Sequence, residues 1–136
     1  PPSLEVAQLT GLKNFSGAKQ ISADAVEALD WNCTLRTHQP IPSPPKYLGI
    51  RAHYIDFLEA ASCVSSGANV FPCWLVRSSE TPFRITLYLR LHNPPDGAAE
   101  HHLQAELFKE KWLRLREHPQ PWHVQLSPES LMILPE

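Results

Sequence analysis

The chain has 136 residues, enough for one ordinary domain or two very small ones. Its hydrophobic share of 43% and charged share of 19% are those of an ordinary globular chain rather than a disordered one. A net charge of −2 leaves no basic field for nucleic acid or anionic lipid. No apolar run approaches the roughly 20 residues of a membrane span. Fourteen prolines favour short segments and frequent turns over long helices. Cys33, Cys63 and Cys73 are odd in number and contain no Cys-x-x-Cys pair, which suits a reducing compartment and buried thiols. No signal peptide is visible, and a start at Pro1 with Met132 as the single methionine reads as a piece of a longer protein.

In chain order, Ser3 is placed to cap a helix that Gly11 stops. Residues 16–21, 25–29 and 33–37 read as short strands, with turns at Ala23-Asp24 and Asp30-Trp31-Asn32. His38 to Pro45, with four prolines, is a loop, and Tyr47 to Ala52 a fourth strand. His53 to Ala60 fits a helical turn or a strand. Ser62 to Gly67 is the most linker-like stretch, so the division between two sub-modules is placed there. Further on, Val70 to Val76 is a strand, followed by a turn at Ser78-Ser79-Glu80. Phe83, Ile85, Leu87, Leu89 and Leu91 then alternate with Arg84, Thr86, Tyr88, Arg90 and His92, which predicts one buried and one wet face. A strand through Leu103, Ala105 and Leu107, a helix from Lys109 to His118 ended by Pro119, and strands at Trp122–Leu126 and Leu131–Leu134 complete the chain. The expected fold is mainly β: small OB-like barrel modules with one N-terminal and one late short helix.

Few residues point to chemistry. A tetrahedral oxyanion needs several converging donors, from backbone N–H groups, hydroxyls, an amide and a cation. The stretch Thr10 to Gly17 contains two hydroxyls, an amide, a lysine and two glycines. A helix stop at Gly11 followed by the start of a strand at Asn14 accounts for the same residues without a ligand. His101 and His102 are neighbours, so in a strand they face opposite sides and do not share a metal ion. Nothing sets the geometry of a nucleophilic pair such as Cys73 with His92. Trp74, Phe83 and Tyr88 with Arg77, Arg84 and Arg90 would suit a single-stranded nucleic acid on an OB-type face, but the overall charge argues against it. No Gly-x-x-x-x-Gly-Lys-Ser/Thr string occurs, so no P-loop hydrolysis is expected of these residues.

Three phrases carry a resemblance. Gly11-Leu12-Lys13-Asn14-Phe15-Ser16 is similar to the start of the accessory region in ATP-binding subunits of molybdate-type ABC importers, with Lys13-Asn14 where small molybdate-binding barrels have Arg-Asn. Tyr47-Leu48-Gly49-Ile50-Arg51 resembles the Gly-Ile-Arg-Pro-Glu strand of importer subunits, with Ala52-His53 in place of Pro-Glu. Asn69 to Cys73, Trp122 to Val124 and Ser127 to Leu131 resemble the second barrel of that region. The resemblance implies a helical lead over 1–14 from an ATPase domain, a first β module over 15–62 and a second OB-like module over 63–136. It implies a regulatory, dimerising and non-catalytic role, with ATP and magnesium held only by the parent ATPase domain. The expected partners are a second copy of the subunit, the membrane permease, and molybdate, tungstate or sulfate as a feedback ligand. Nucleic acid is not expected. The implied location is cytoplasmic, at the membrane through the transporter complex. Matched by position, Thr10, Lys13, Asn14 and Ser16 are the oxyanion-binding residues. Lys for Arg removes a bidentate fork, and no second copy of the motif is evident in the sequence.

Overall fold

The computed structural model describes residues 3–41, 43–58, 68–97 and 100–135. The expected linker at 62–67 lies outside them. As expected, the chain is mainly β. Its described strands are β1 (Asn14–Ser22), β2 (Ala25–Ala28), β3 (Cys33–Arg36), β4 (Tyr47–Ile50), β5 (Asp56–Leu58), β6 (Val70–Glu80), β7 (Arg84–Leu91), β8 (Leu103–Phe108), β9 (Trp122–Gln125) and β10 (Met132–Leu134). The helices are α1 (Leu4–Leu9) and α2 (Lys109–Leu115), with 3-10 turns at Ala52–Tyr54 and Pro128–Ser130. Among the described residues, no helix is long and apolar enough to cross a membrane.

The strands form two five-stranded antiparallel sheets, ordered β10-β4-β1-β2-β3 and β5-β9-β6-β7-β8. No ladder between described residues joins the outer strands of either sheet, so the sheets are open rather than closed barrels. The sheets also do not divide at the expected module boundary. β5, from the first half, is an edge of the second sheet, and β10, from the end of the chain, is an edge of the first. Each half therefore lends its last strand to the other.

The two halves repeat one plan. Each has three strands in antiparallel succession, a fourth strand that pairs back on the first, a 3-10 turn, and a short fifth strand exported to the other sheet. Even the irregularities correspond. The ladder skips Ile21 on β1 and Val76 on β6, so both first strands bulge ahead of their hairpin turns. The period-2 alternation puts Val26, Leu35, Leu48 and Ile50 of the first sheet into one apolar core with Leu87, Leu89, Ala105 and Val124 of the second. A single core across both sheets means that neither half buries its apolar face alone.

Two expectations at the β6–β7 hairpin are corrected. β6 continues through Ser78-Ser79-Glu80, and the reversal falls at Thr81 to Phe83. Thr81 closes it, its N–H donating to the Arg84 carbonyl at 2.9 Å. Phe83 sits in that turn rather than on the buried face and is 80% exposed. The late helix also ends earlier than expected, at Leu115, whose side chain is buried in the core.

Candidate functional site

The four residues expected to bind an oxyanion lie where α1 meets β1. Ser3 caps the helix by accepting from the Val6 N–H at 3.2 Å. At the other end Gly11, with φ of +99°, reverses the chain in the left-handed region. The Gly11 N–H donates to the Gln8 carbonyl and the Leu12 N–H to the Ala7 carbonyl, the paired bonds of a Schellman motif. Leu12 then packs with Ala7 and Leu134 in a small second core on the outer face of the first sheet.

That packing explains Gly49. A Cβ there would stand 2.7 Å from Leu12 Cδ2 and 2.8 Å from the Asn14 carbonyl oxygen, so only a glycine lets Leu12 seat over β4. Arg51, just past β4, reaches back to the end of α1. Its guanidinium donates to the Thr10 carbonyl at 2.9 Å and to Thr10 Oγ1 at 3.1 Å. A cation there also complements the helix dipole. Phe15 and Gly49 are cross-strand partners. The first two of the three phrases that carried the resemblance are thus neighbours, joined by backbone, packing and a guanidinium.

Asn14 and Ser16 point into the fold, which corrects the expectation that they present donors to a ligand. Asn14 is 2% exposed and Ser16 fully buried. Ser16 Oγ donates to the Gly17 carbonyl at 2.8 Å and accepts from the Asp30 N–H at 2.9 Å. Asn14 Nδ2 donates to the Gln104 carbonyl at 2.8 Å, and its Oδ1 accepts from the Gln104 N–H at 2.7 Å. The amide thereby acts as one rung of a ladder against the free edge of β8. The cause is strand alternation: inward positions on β1 are 14 and 16, and any polar atom buried there needs a protein partner. Thr10 is engaged by Arg51, while Lys13 is exposed.

Asn69, which the sequence marks only as the start of a stretch resembling the second barrel and not as a site residue, is the counterpart of Asn14. It accepts from the Arg36 N–H at 2.8 Å and donates to the Arg36 carbonyl at 2.9 Å and the Leu126 carbonyl at 2.9 Å. The correspondence is positional. From Asn14, four residues along β1 reach Ala18, which faces Ala28; three back reach Ala25, which faces Arg36. From Asn69, four residues reach Cys73, which faces Leu91; three back reach Tyr88, which faces Gln104. The clamps then cross: Asn14 holds Gln104 and Asn69 holds Arg36. Among the described residues, these two asparagines and Ser16 are the only buried polar side chains. A second copy of the motif therefore exists in part: Ala68-Asn69-Val70-Phe71 keeps the amide and lacks the lysine and the hydroxyl.

Cys33, Cys73, His101 and His102 have structural settings. Burial pushes the Cys33 and Cys73 thiols up to about 12, which removes thiolate at neutral pH. His102 Nδ1 accepts from the Leu91 N–H at 2.9 Å, and His101 packs edge-on to Tyr88. Among the described residues, no group of three His, Cys, Asp or Glu side chains is placed to hold a metal ion. On the row considered for nucleic acid, the Arg84 guanidinium is bound by the Glu106 carboxylate, and Arg77 lies over the Tyr88 ring at 4.2 Å. Tyr88 is thus covered on one face by a cation and flanked by an imidazole. Compared with family models and with curated proteins, the chain matches none.

Proposed function

We propose that this chain is the accessory, non-catalytic region of an ATP-driven importer subunit, of the kind that handles molybdate, tungstate or a related oxyanion, where it pairs with a second copy and regulates transport. One observation supports the reading most. Two of the three phrases of the resemblance lie far apart in the chain yet meet as neighbouring strands, with Leu12 seated on Gly49 and Arg51 closed on Thr10. Their residue types are those this junction requires, as expected if the phrases descend together.

In this reading the anion is met by exposed Lys13 at the start of β1. Asn14 and Ser16 hold the strand that carries it, and a second copy supplies the other donors. Regulation follows from differential affinity: an anion bridging two copies favours the arrangement in which it touches both, and shifts the equilibrium only by that preference. ATP and magnesium belong to the parent ATPase domain, together with the contacts to the permease.

The test is to read the coding sequence upstream of Pro1 and, in the intact subunit, to measure molybdate, tungstate and sulfate by calorimetry with and without Lys13→Ala. An ATPase domain fused ahead, with anion heat lost in the variant, is expected. A reading frame without such a domain would remove the importer reading. Unchanged heat in the variant would remove the assignment to Lys13.

A further inference from the structure

The repeat produces a pair of corresponding concavities, each between the exit of a third strand and the 3-10 turn and fifth strand of the opposite half. One lies where β3 leaves its sheet, against Pro128–Ser130 and β10, with a volume of about 340 Å³. Thr37, Gln39, Pro40 and Ile41 line it, and Glu129 and His38 are its titratable side chains. The other lies where β8 runs into α2, against Ala52–Tyr54 and β5, with a volume of about 370 Å³. Its lining is charged in both signs over an apolar floor.

Those charges sort into a closed pair and an open pair. Arg84 and Glu106 bind each other. Asp56 and Lys111 face the same concavity, yet neither belongs to any ion pair among the described residues. Among the described residues, the one side-chain hydrogen bond to Asp56 is long, 3.4 Å, from the Ser127 hydroxyl. Ile55, Leu107 and Phe108 supply the floor. An unpaired carboxylate and an unpaired ammonium across one small apolar-floored space complement a molecule carrying both charges and an apolar arm. The volume is at the small end of the roughly 300–1,000 Å³ usual for ligand sites.

We infer that this concavity binds a small zwitterion of the α-amino-acid class, its ammonium on Asp56, its carboxylate on Lys111 and an apolar side chain on Leu107 and Phe108. The site belongs to the second half's departure from the repeat, since among the described residues no lysine or arginine lines the corresponding concavity. The inference does not depend on the importer reading.

The experiment is an NMR titration of the chain with L-phenylalanine and L-leucine, against phenylacetate (no ammonium) and phenethylamine (no carboxylate). Saturable shifts at the Ile55, Leu107 and Phe108 amides are expected from the amino acids, with each single-charge analogue weaker by about tenfold or more. Lys111→Met is expected to bring L-phenylalanine down to the level of phenethylamine on the unaltered protein. Asp56→Asn is expected to bring it down to that of phenylacetate. Both side chains are surface groups, so spectra without ligand will show whether the fold is kept. The inference fails if no shift occurs up to about 10 mM, a concentration that reaches even millimolar affinity. It also fails if the analogues act as strongly as the amino acids, if the double variant binds unchanged, or if the shifts appear at Thr37 and Ile41 instead.

Discussion

In the first half the β1–β2 hairpin turns straight after Ser22, and a proline-rich loop leads from β3 to β4. In the second half the β6–β7 hairpin runs on to Glu80 and Arg84, β8 follows it to Phe108, and α2 replaces the loop. What the halves share is the ladder, the bulge, the exported fifth strand and an asparagine that clamps the opposite third strand. What they do not share is the longer hairpin and the charges around α2. The shared features are those that keep buried polar groups paired and the core closed. The unshared features sit at the surface, where sequence can change without unfolding the chain, and that is where a ligand site can develop.

The comparison is broken most severely at its clamps. Asn69→Ala removes partners from the N–H and carbonyl of Arg36 and from the Leu126 carbonyl, and places alanine at φ of +65°. A loss of about 4 kcal/mol is expected in urea unfolding, from unsatisfied backbone groups together with left-handed strain. Asn69→Gly, which tolerates that backbone, should recover part of the loss and so separate the two causes. Asn14→Ala forfeits one rung only, and a smaller loss of about 2–3 kcal/mol is expected. If Asn14→Ala were neutral while Asn69→Ala was costly, the reciprocity of the clamps would be structural coincidence.

Next in size is Gly49→Ala. The added methyl meets the Asn14 carbonyl, which belongs to a paired strand, and a cost of about 1–3 kcal/mol is expected in the same assay. Leu12→Ala in the same chain should relieve the side-chain part of the clash. Recovery beyond the sum of the single effects would identify the contact.

A smaller effect is expected from pH. Burial first, then the charges of Arg90, His92 and His101, hold the His102 pKa below its ordinary value. The Leu91 N–H needs a neutral ring nitrogen to accept it. The unfolded chain takes up its proton near the usual value of about 6.5, before the folded chain does. The stability contribution is therefore intact above that pH, declines as pH falls through the window below it, and levels off beneath the folded value. His102→Asn, which keeps an acceptor that does not titrate, should flatten this part of the profile. Smallest is Phe83→Ser at the hairpin tip, where a change within about 0.5 kcal/mol is expected because the ring is already in water.

Most strands were readable because alternation marks them: Ile85, Leu87, Leu89 and Leu91 face one way because the pleat has period 2. The exchange of β5 and β10 was not readable. Each has only three residues, too few to encode a register or a partner. Asn14 and Ser16 drew attention for the right reason, concentrated hydrogen-bonding capacity, and were assigned the wrong recipient. An amide serves a ligand or a strand edge equally well, and only burial distinguishes the two. The clamping role of Asn69 is not legible because the lysine and serine that flag Asn14 are absent around it, and its partner Arg36 is remote in sequence. Phe83 fitted the alternation, but the turn signal of Thr81-Pro82 overrode it.

Two exchanged halves that share one core should unfold together. Urea unfolding of two variants, one retaining only Trp31 and the other only Trp122, tests it through probes buried in opposite halves. Coincident fluorescence transitions, scaled to each variant's stability by circular dichroism, are predicted. A fluorescence midpoint displaced from the backbone transition in either variant, so that one half melts ahead of the other, would contradict it.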